Sequence, residues 1–198
     1  MATITDKTVA LDDLEPGNHY VNCDLTYSNQ DIRMEEISFD KCHFQQTDFK
    51  ASEWMDCTFQ GCQFLNCQFR QSYLYRCAFK GCQLLGSDFT GARLKDTTIV
   101  DSRADYANFA EAVFTGVTLT DTRLLEASFQ MMTVKRSLNF NRCDLTRADF
   151  TESRLKLVDL RSSNIDALAF TPGLVRGCKI DPLQAVTFAA ALGLDIQD

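Results

Sequence analysis

The sequence predicts a solenoid, a single column wound from one short repeating unit, and three observations predict it. From Met34 to Val134 every fifth residue is a large apolar side chain, with Ala104 the one exception. After a one-residue slip the beat resumes at Phe140, Leu145, Phe150, Leu155, Leu160, Ile165 and Phe170. Two residues before each centre the side chain is small, as at Cys42, Thr47, Ser52, Cys57, Ser87, Ala107 and Ala148, and the residue after it is mostly polar, as at Asp40, Lys50, Arg70 and Lys95. A period of five suits neither a helix, which advances about 100° per residue, nor a strand, which sends alternate side chains to opposite faces. It suits a chain that turns a corner every five residues and points each centre at a common axis.

Taken in order, residues 1–19 read as an extension ahead of the ladder. The segment 1–40 is acidic, with nine Asp and Glu against two Lys and Arg. Its start, Met1-Ala2-Thr3-Ile4-Thr5-Asp6, lacks the charged-then-apolar pattern of a secretion signal, and no apolar run approaches the roughly 20 residues of a membrane span. A cytoplasmic protein with no membrane contact is expected. Residues 20–170 carry the ladder, and the slip near 135–139 predicts a bulge or kink. Ala104, undersized for its position, leaves space that Tyr106 or another neighbour is expected to fill.

The tail changes character after Phe170. Thr171-Pro172-Gly173 ends the ladder, and residues 171–198 read as a cap. Asp181-Pro182 opens a helix, with Asp as N-cap and Pro at the first helical position, and Gly193 suits its C-terminal end. Between them the segment is apolar nearly all round, so one side plugs the open end of the column and the rest calls for a second copy across a two-fold axis. The expected dimer contacts are Ile180, Pro182, Leu183, Val186, Phe188, Ala190, Leu192 and Leu194.

The nine cysteines invite a zinc or redox reading, but eight of them fall two residues before a ladder centre, where a small buried hydrophobe is required. Zinc sites favour cysteine pairs two to four residues apart, often with histidine. Cys178 lies outside the ladder and is expected to be partly buried. The two histidines, His19 and His43, build no catalytic pattern, and the chain has no glycine-rich phosphate loop, nucleophile elbow or His-Glu metal motif. No enzyme activity, metal or cofactor is expected. The net charge of −7 argues against direct nucleic-acid binding, which needs a basic face. The expected role is to bind protein.

The repeat resembles the pentapeptide repeat family, whose unit centres on Phe or Leu with Ala, Ser or Cys two before it and often Asp or Asn one before it. Matching copies are Ser87-Asp88-Phe89-Thr90-Gly91, Ala107-Asn108-Phe109 and Ala148-Asp149-Phe150-Thr151. The resemblance implies an all-β solenoid, a right-handed quadrilateral β-helix with about twenty residues per coil, followed here by the C-terminal helical dimerisation segment. The ending, Lys179-Ile180-Asp181, then Gln184-Ala185, then Leu192-Gly193-Leu194, and the run Arg103-Ala104-Asp105-Tyr106-Ala107-Asn108-Phe109, are similar to Qnr and MfpA-type quinolone-resistance proteins.

That resemblance implies a homodimer joined end to end by the C-terminal segment, a mimic of duplex DNA that binds DNA gyrase or topoisomerase IV and protects it from quinolones or inhibits it. The alternative is a structural or adaptor solenoid with another protein partner. A rod of some seven and a half coils at about 4.8 Å per layer is roughly 36 Å long, so a pair spans about 70 Å. Such a length of duplex carries roughly 40 negative charges, against −14 for two chains. Mimicry must therefore use local carboxylate arrays, for which the candidates are Asp48, Asp88, Asp96, Asp101, Asp105, Glu111, Asp121, Glu126 and Asp149. With four repeats per coil, Asp48, Asp88 and Asp149 stack on one side. The unbroken beat leaves no room for the long loops that interrupt certain Qnr ladders.

Overall fold

The corners of the column's long regular stretch are all made in the same way. In the computed structural model, which describes residues 2–196, each fifth residue from Ala51 to Met131 has a φ between +49° and +70°. A left-handed residue turns the chain sharply after a short extended segment. It falls two places after each inward centre, and Gly61, Gly81, Gly86, Gly91 and Gly116 all occupy this position, where an L side chain is otherwise disfavoured.

The result is a four-sided parallel β-helix. The first face is a nine-stranded ladder whose strands include Thr3–Thr5, His19–Val21, Ser38–Asp40, Thr58–Gln60 and Ala78–Lys80, and which ends at Val158–Asp159. The fourth face carries six strands, from Arg33–Glu35 to Thr133–Val134. The second and third faces are held by shorter strands and single bridges, such as Gln63 to Gln83 and Gln68 to Asp88. Most coils advance twenty residues, as Phe59 to Phe79 and Phe79 to Ile99.

Side chains at the centres fill the axis. Phe49, Phe69, Phe89, Phe109, Phe129 and Phe150 form one continuous stack on the third face, with ring centroids 4.7–5.0 Å apart and planes within 17° of parallel. Strand layers impose this spacing, and stacked rings accept it. The small residues two places earlier turn their polar atoms onto carbonyls. Ser52 Oγ donates to Phe49 O at 2.6 Å and receives the Trp54 indole N–H at 2.8 Å, while Cys77 Sγ donates to Trp54 O at 3.3 Å. Polar groups sealed in a dry column thus keep their hydrogen bonds.

The structure corrects several expectations. The ladder starts at Thr3, not at Tyr20, because Thr3–Thr5 pairs with His19–Val21 and Thr8–Ala10 with Asp24–Thr26, so the segment from Thr3 to Asn18 supplies a shortened first coil. Tyr106 sits at a corner, 53% exposed, and does not fill the space beside Ala104. Thr47 is exposed, and Val134 and Phe170 are only half-buried. The slip becomes a 21-residue coil, with Leu119 opposite Phe140. Its extra residue enters the corner after Val134, where no positive φ occurs between Met131 and Arg142, and the fourth-face ladder stops there.

The regular helix is Ala185–Ala191, shorter than the apolar run, because residues 182–184 form a separate turn. Asp181 Oδ1 accepts from the Leu183 and Gln184 amides at 2.9 and 3.0 Å, and Gln184 Oε1 accepts from the Asp181 amide at 3.0 Å. This reciprocal capping box fixes the helix entry. Gln184 Nε2 also donates to Leu160 O and Ser163 O, both at 2.7 Å, tying the helix to the last coil. At the other end Gly193, with φ +80°, donates to Ala190 O at 2.9 Å and Leu194 to Ala189 O at 3.2 Å, the two bonds of a Schellman motif.

Candidate partner-binding surfaces

Most of the candidate carboxylates are neutralised by arginines from another coil. Residues about twenty apart are vertical neighbours, so Arg142 donates to Asp121 at 2.7 and 2.5 Å and Arg147 to Glu126 at 2.5 Å. Asp96 pairs with Arg136, two rungs away. Asp88 is 7% exposed and accepts from Arg70 Nε at 2.6 Å and from the Thr90 amide at 2.9 Å. Burial opposes the charged form of Asp88, but the Thr90 bonds and Arg70 outweigh it and hold the carboxyl below the usual range. Asp105 is fully buried, accepts from Arg123 Nε at 2.9 and 2.8 Å and from the Leu125 amide at 3.2 Å, and offers no surface to a partner.

The remaining candidates are Asp48, Asp101, Glu111 and Asp149. Asp48, Asp101 and Glu111 are exposed, and none of the four has a cation within ion-pair distance among the described residues. Asp149 accepts from Gln130 Nε2 at 2.6 Å and from the Thr151 amide at 2.8 Å. Asp48, Asp88 and Asp149 do share one column, with Gln68, Asn108 and Ser128 on the rungs between them. The charge is thus spaced by amides and a hydroxyl. The acidic first coils, which sequence reasoning had left out of the candidate set, hold the exposed Asp6, Asp12, Asp13, Asp31, Glu35 and Glu36, and their excess of nine acids over two bases was the signal that could have found them.

The thiols are quiet. All nine cysteines are free and eight are buried. Desolvation pushes Cys42, Cys57, Cys67, Cys82 and Cys143 up to about 11 and Cys77 to about 12. Cys178, half-buried at the end of the rod, is also raised to about 12, first by desolvation and then by Asp159. At neutral pH such thiols are protonated and poor nucleophiles. Among the described residues no group of three or more His, Cys, Asp or Glu is placed to hold a metal ion, and no helix is long and apolar enough to cross a membrane.

The C-terminal segment divides the expected dimer contacts. Phe188 is buried against Phe170, with ring centroids 4.6 Å apart, and Ile180 is half-buried on the core, so these two close the rod. Leu183, Val186, Leu192 and Leu194 are exposed by 85, 52, 57 and 61%, and Pro182 and Ala190 are exposed beside them. So many large apolar groups together at one end form a patch of the kind that marks a protein contact.

Residues 72–138 match the family model described as pentapeptide repeat region, and residues 136–166 match the model of pentapeptide repeats. No curated protein matches the sequence. Among solved structures, the chain is similar to a trypsin-treated variant of QnrB1, a plasmid-mediated fluoroquinolone resistance protein, at 20% identity over 100% of this chain and 98% of that one, with a TM-score of 0.56. Full-length QnrB1 matches at 20% identity over 98% of each chain, TM-score 0.45. HetL, a pentapeptide repeat protein involved in heterocyst differentiation regulation from the cyanobacterium Nostoc sp. strain PCC 7120, matches at 12% identity over 89% of this chain and 84% of that one, TM-score 0.37. The five-residue beat, the left-handed corner at every fifth position from Ala51 to Met131 and the two family-model matches agree: this chain carries pentapeptide repeats over residues 72–166 and has the β-helix fold seen in QnrB1.

Proposed function

We propose that the protein is a non-enzymatic, cytoplasmic binding rod that pairs end to end and occupies a type II topoisomerase, DNA gyrase or topoisomerase IV, in place of duplex DNA. The observation that carries the reading is a rod of QnrB1 fold whose far end exposes Leu183, Val186, Leu192 and Leu194 around a docked helix. Burying that face against a second copy removes a cluster of exposed apolar side chains from water. A tail-to-tail pair then places the two acidic first coils at its outer ends, with Asp48, Asp101 and Glu111 along its sides.

The test is gyrase supercoiling in the presence of ciprofloxacin and increasing protein. Rescue of supercoiling supports protection, loss of supercoiling without drug supports inhibition, and neither effect at micromolar protein refutes the topoisomerase reading. The arginine pairing of Asp88, Asp96, Asp105, Asp121 and Glu126 favours a second reading, an adaptor solenoid with another protein partner, because a paired carboxylate presents little field to a DNA-binding groove. Pull-down from a bacterial lysate separates the two by whether topoisomerase subunits are retained.

A further inference from the structure

The break in the fourth face exposes a recognition edge that the topoisomerase reading does not use. Along this face each coil donates to the one before it: Tyr73 to Ser52 O at 2.8 Å, Arg93 to Ser72 O, Val113 to Ala92 O and Thr133 to Ala112 O at 2.9 Å each. The next donors in the series, the amides of Arg154 and Lys156, make no hydrogen bond among the described residues, because the slip after Val134 ends the ladder at Thr133–Val134. Only Leu155 between them is tied, to Leu174 O at 3.0 Å. Such unpaired donors form a template for an added strand.

The side chains around this edge are cationic. Arg154, Lys156 and Arg176 are exposed and, with Lys135 on the preceding rung, have no carboxylate within ion-pair distance among the described residues, unlike Arg76, Arg123, Arg136, Arg142 and Arg147. Two adjoining depressions of about 350 and 460 Å³ share Arg154 and Lys156 in their walls; the first is also lined by Val134 and Leu157, with Glu152 as its one acid. Leu157 is 39% exposed and Val134 half-buried, so apolar footholds alternate with positive charge.

The geometry points to a docking cleft for an extended acidic peptide segment of a partner protein. Its carbonyls meet the Arg154 and Lys156 amides, its Asp or Glu side chains meet Arg154, Lys156, Lys135 and Arg176, and its alternate apolar side chains meet Val134 and Leu157. A phosphodiester strand would use the cations and amides but would leave the apolar footholds at Val134 and Leu157 idle.

Fluorescence anisotropy with a labelled peptide of alternating Asp and Leu tests the proposal. Saturable binding is expected, and Arg154→Ala with Lys156→Ala is expected to weaken it by about tenfold, whereas Lys41→Ala with Lys80→Ala, on another corner and face, leaves it unchanged. Amide exchange gives a second reading that needs no variant: the Arg154 and Lys156 amides exchange fast in the free protein and slow by about tenfold or more when the peptide is bound. Absence of saturable binding, binding indifferent to the double variant, amides that gain no protection, or tighter binding of labelled oligothymidine than of the peptide would each overturn it.

Discussion

Arg136 pairs with Asp96 across two rungs of the column by laying its guanidinium over Gly116, the corner residue of the rung between them. A Cβ at position 116 would overlap that guanidinium, whereas one at Gly81, an equivalent corner with φ +61°, would meet nothing within 4 Å. Both positions carry the same left-handed strain, so the comparison isolates the arginine bridge. Gly116→Ala is expected to lose about 1 kcal/mol more than Gly81→Ala, the scale of an exposed ion pair. Equal losses in urea denaturation would show that Arg136 simply moves aside.

Asp88 gives a pH signature. Its folded carboxyl lies below the ordinary aspartate value of 3.8, so its contribution to stability is complete above that value and is lost as pH falls through the lower folded value. Asp88→Asn is expected to cost about 1–3 kcal/mol at pH 7, the scale of hydrogen bonds to a charged group. The gap to the unmodified protein narrows below about pH 4. A gap that stays constant down to pH 3 would mean that the carboxylate charge is not what stabilises the site.

The phenylalanine stack has no slack. Phe109 is 1% exposed, with neighbouring ring centroids at 4.9 and 5.0 Å. Phe109→Ala is expected to cost about 3–5 kcal/mol, as for other buried aromatic truncations, and thermal denaturation reads it. A loss under about 1 kcal/mol would imply that the column collapses into the gap.

Gln184 and Leu183 separate docking of the helix from pairing of the rods. Gln184→Ala removes two bonds to the last coil and half of the capping box, an expected loss of about 2 kcal/mol, seen as faster exchange at Phe188–Ala191. Leu183→Asp with Val186→Asp changes side chains that face outward, so the helix stays docked while light scattering falls from dimer to monomer mass. Unchanged mass would remove the end-to-end pair. Deleting the whole segment is a poorer test, since it also uncovers Phe170.

Thiol labelling probes the core. With desolvated thiols pushed to about 11–12, native protein at pH 8 is expected to react slowly with Ellman's reagent, Cys178 included, and all nine cysteines to react once it is unfolded. One fast thiol in the native protein would show that desolvation does not silence Cys178, the one cysteine that is not fully buried.

Much of this was legible in the linear chain. The five-residue beat fixed the inward centres, and the cysteine positions fixed their packing role. The corners were legible too, though unread: every glycine from Gly61 to Gly116 stands two places after a centre, where a left-handed residue is needed. Apart from Asp48, Asp88 and Asp149, which were placed by the coil length, the carboxylates were read by closeness in sequence, which is the wrong measure in a solenoid. Asp121 meets Arg142 and Glu126 meets Arg147 because 21 residues make that coil, and Asp105 meets Arg123 on a diagonal of 18.

By itself, then, the sequence determined the column: a repeat that points a bulky apolar group inward from the middle of every side leaves the backbone no other way to bury them together. Only the tertiary structure decided which charges cancel, where the fourth-face ladder fails, and which side of the last helix stays bare. Those outcomes depend on how successive coils align in space, and one inserted residue after Val134 was enough to end the ladder of one face while the other three kept their alignment.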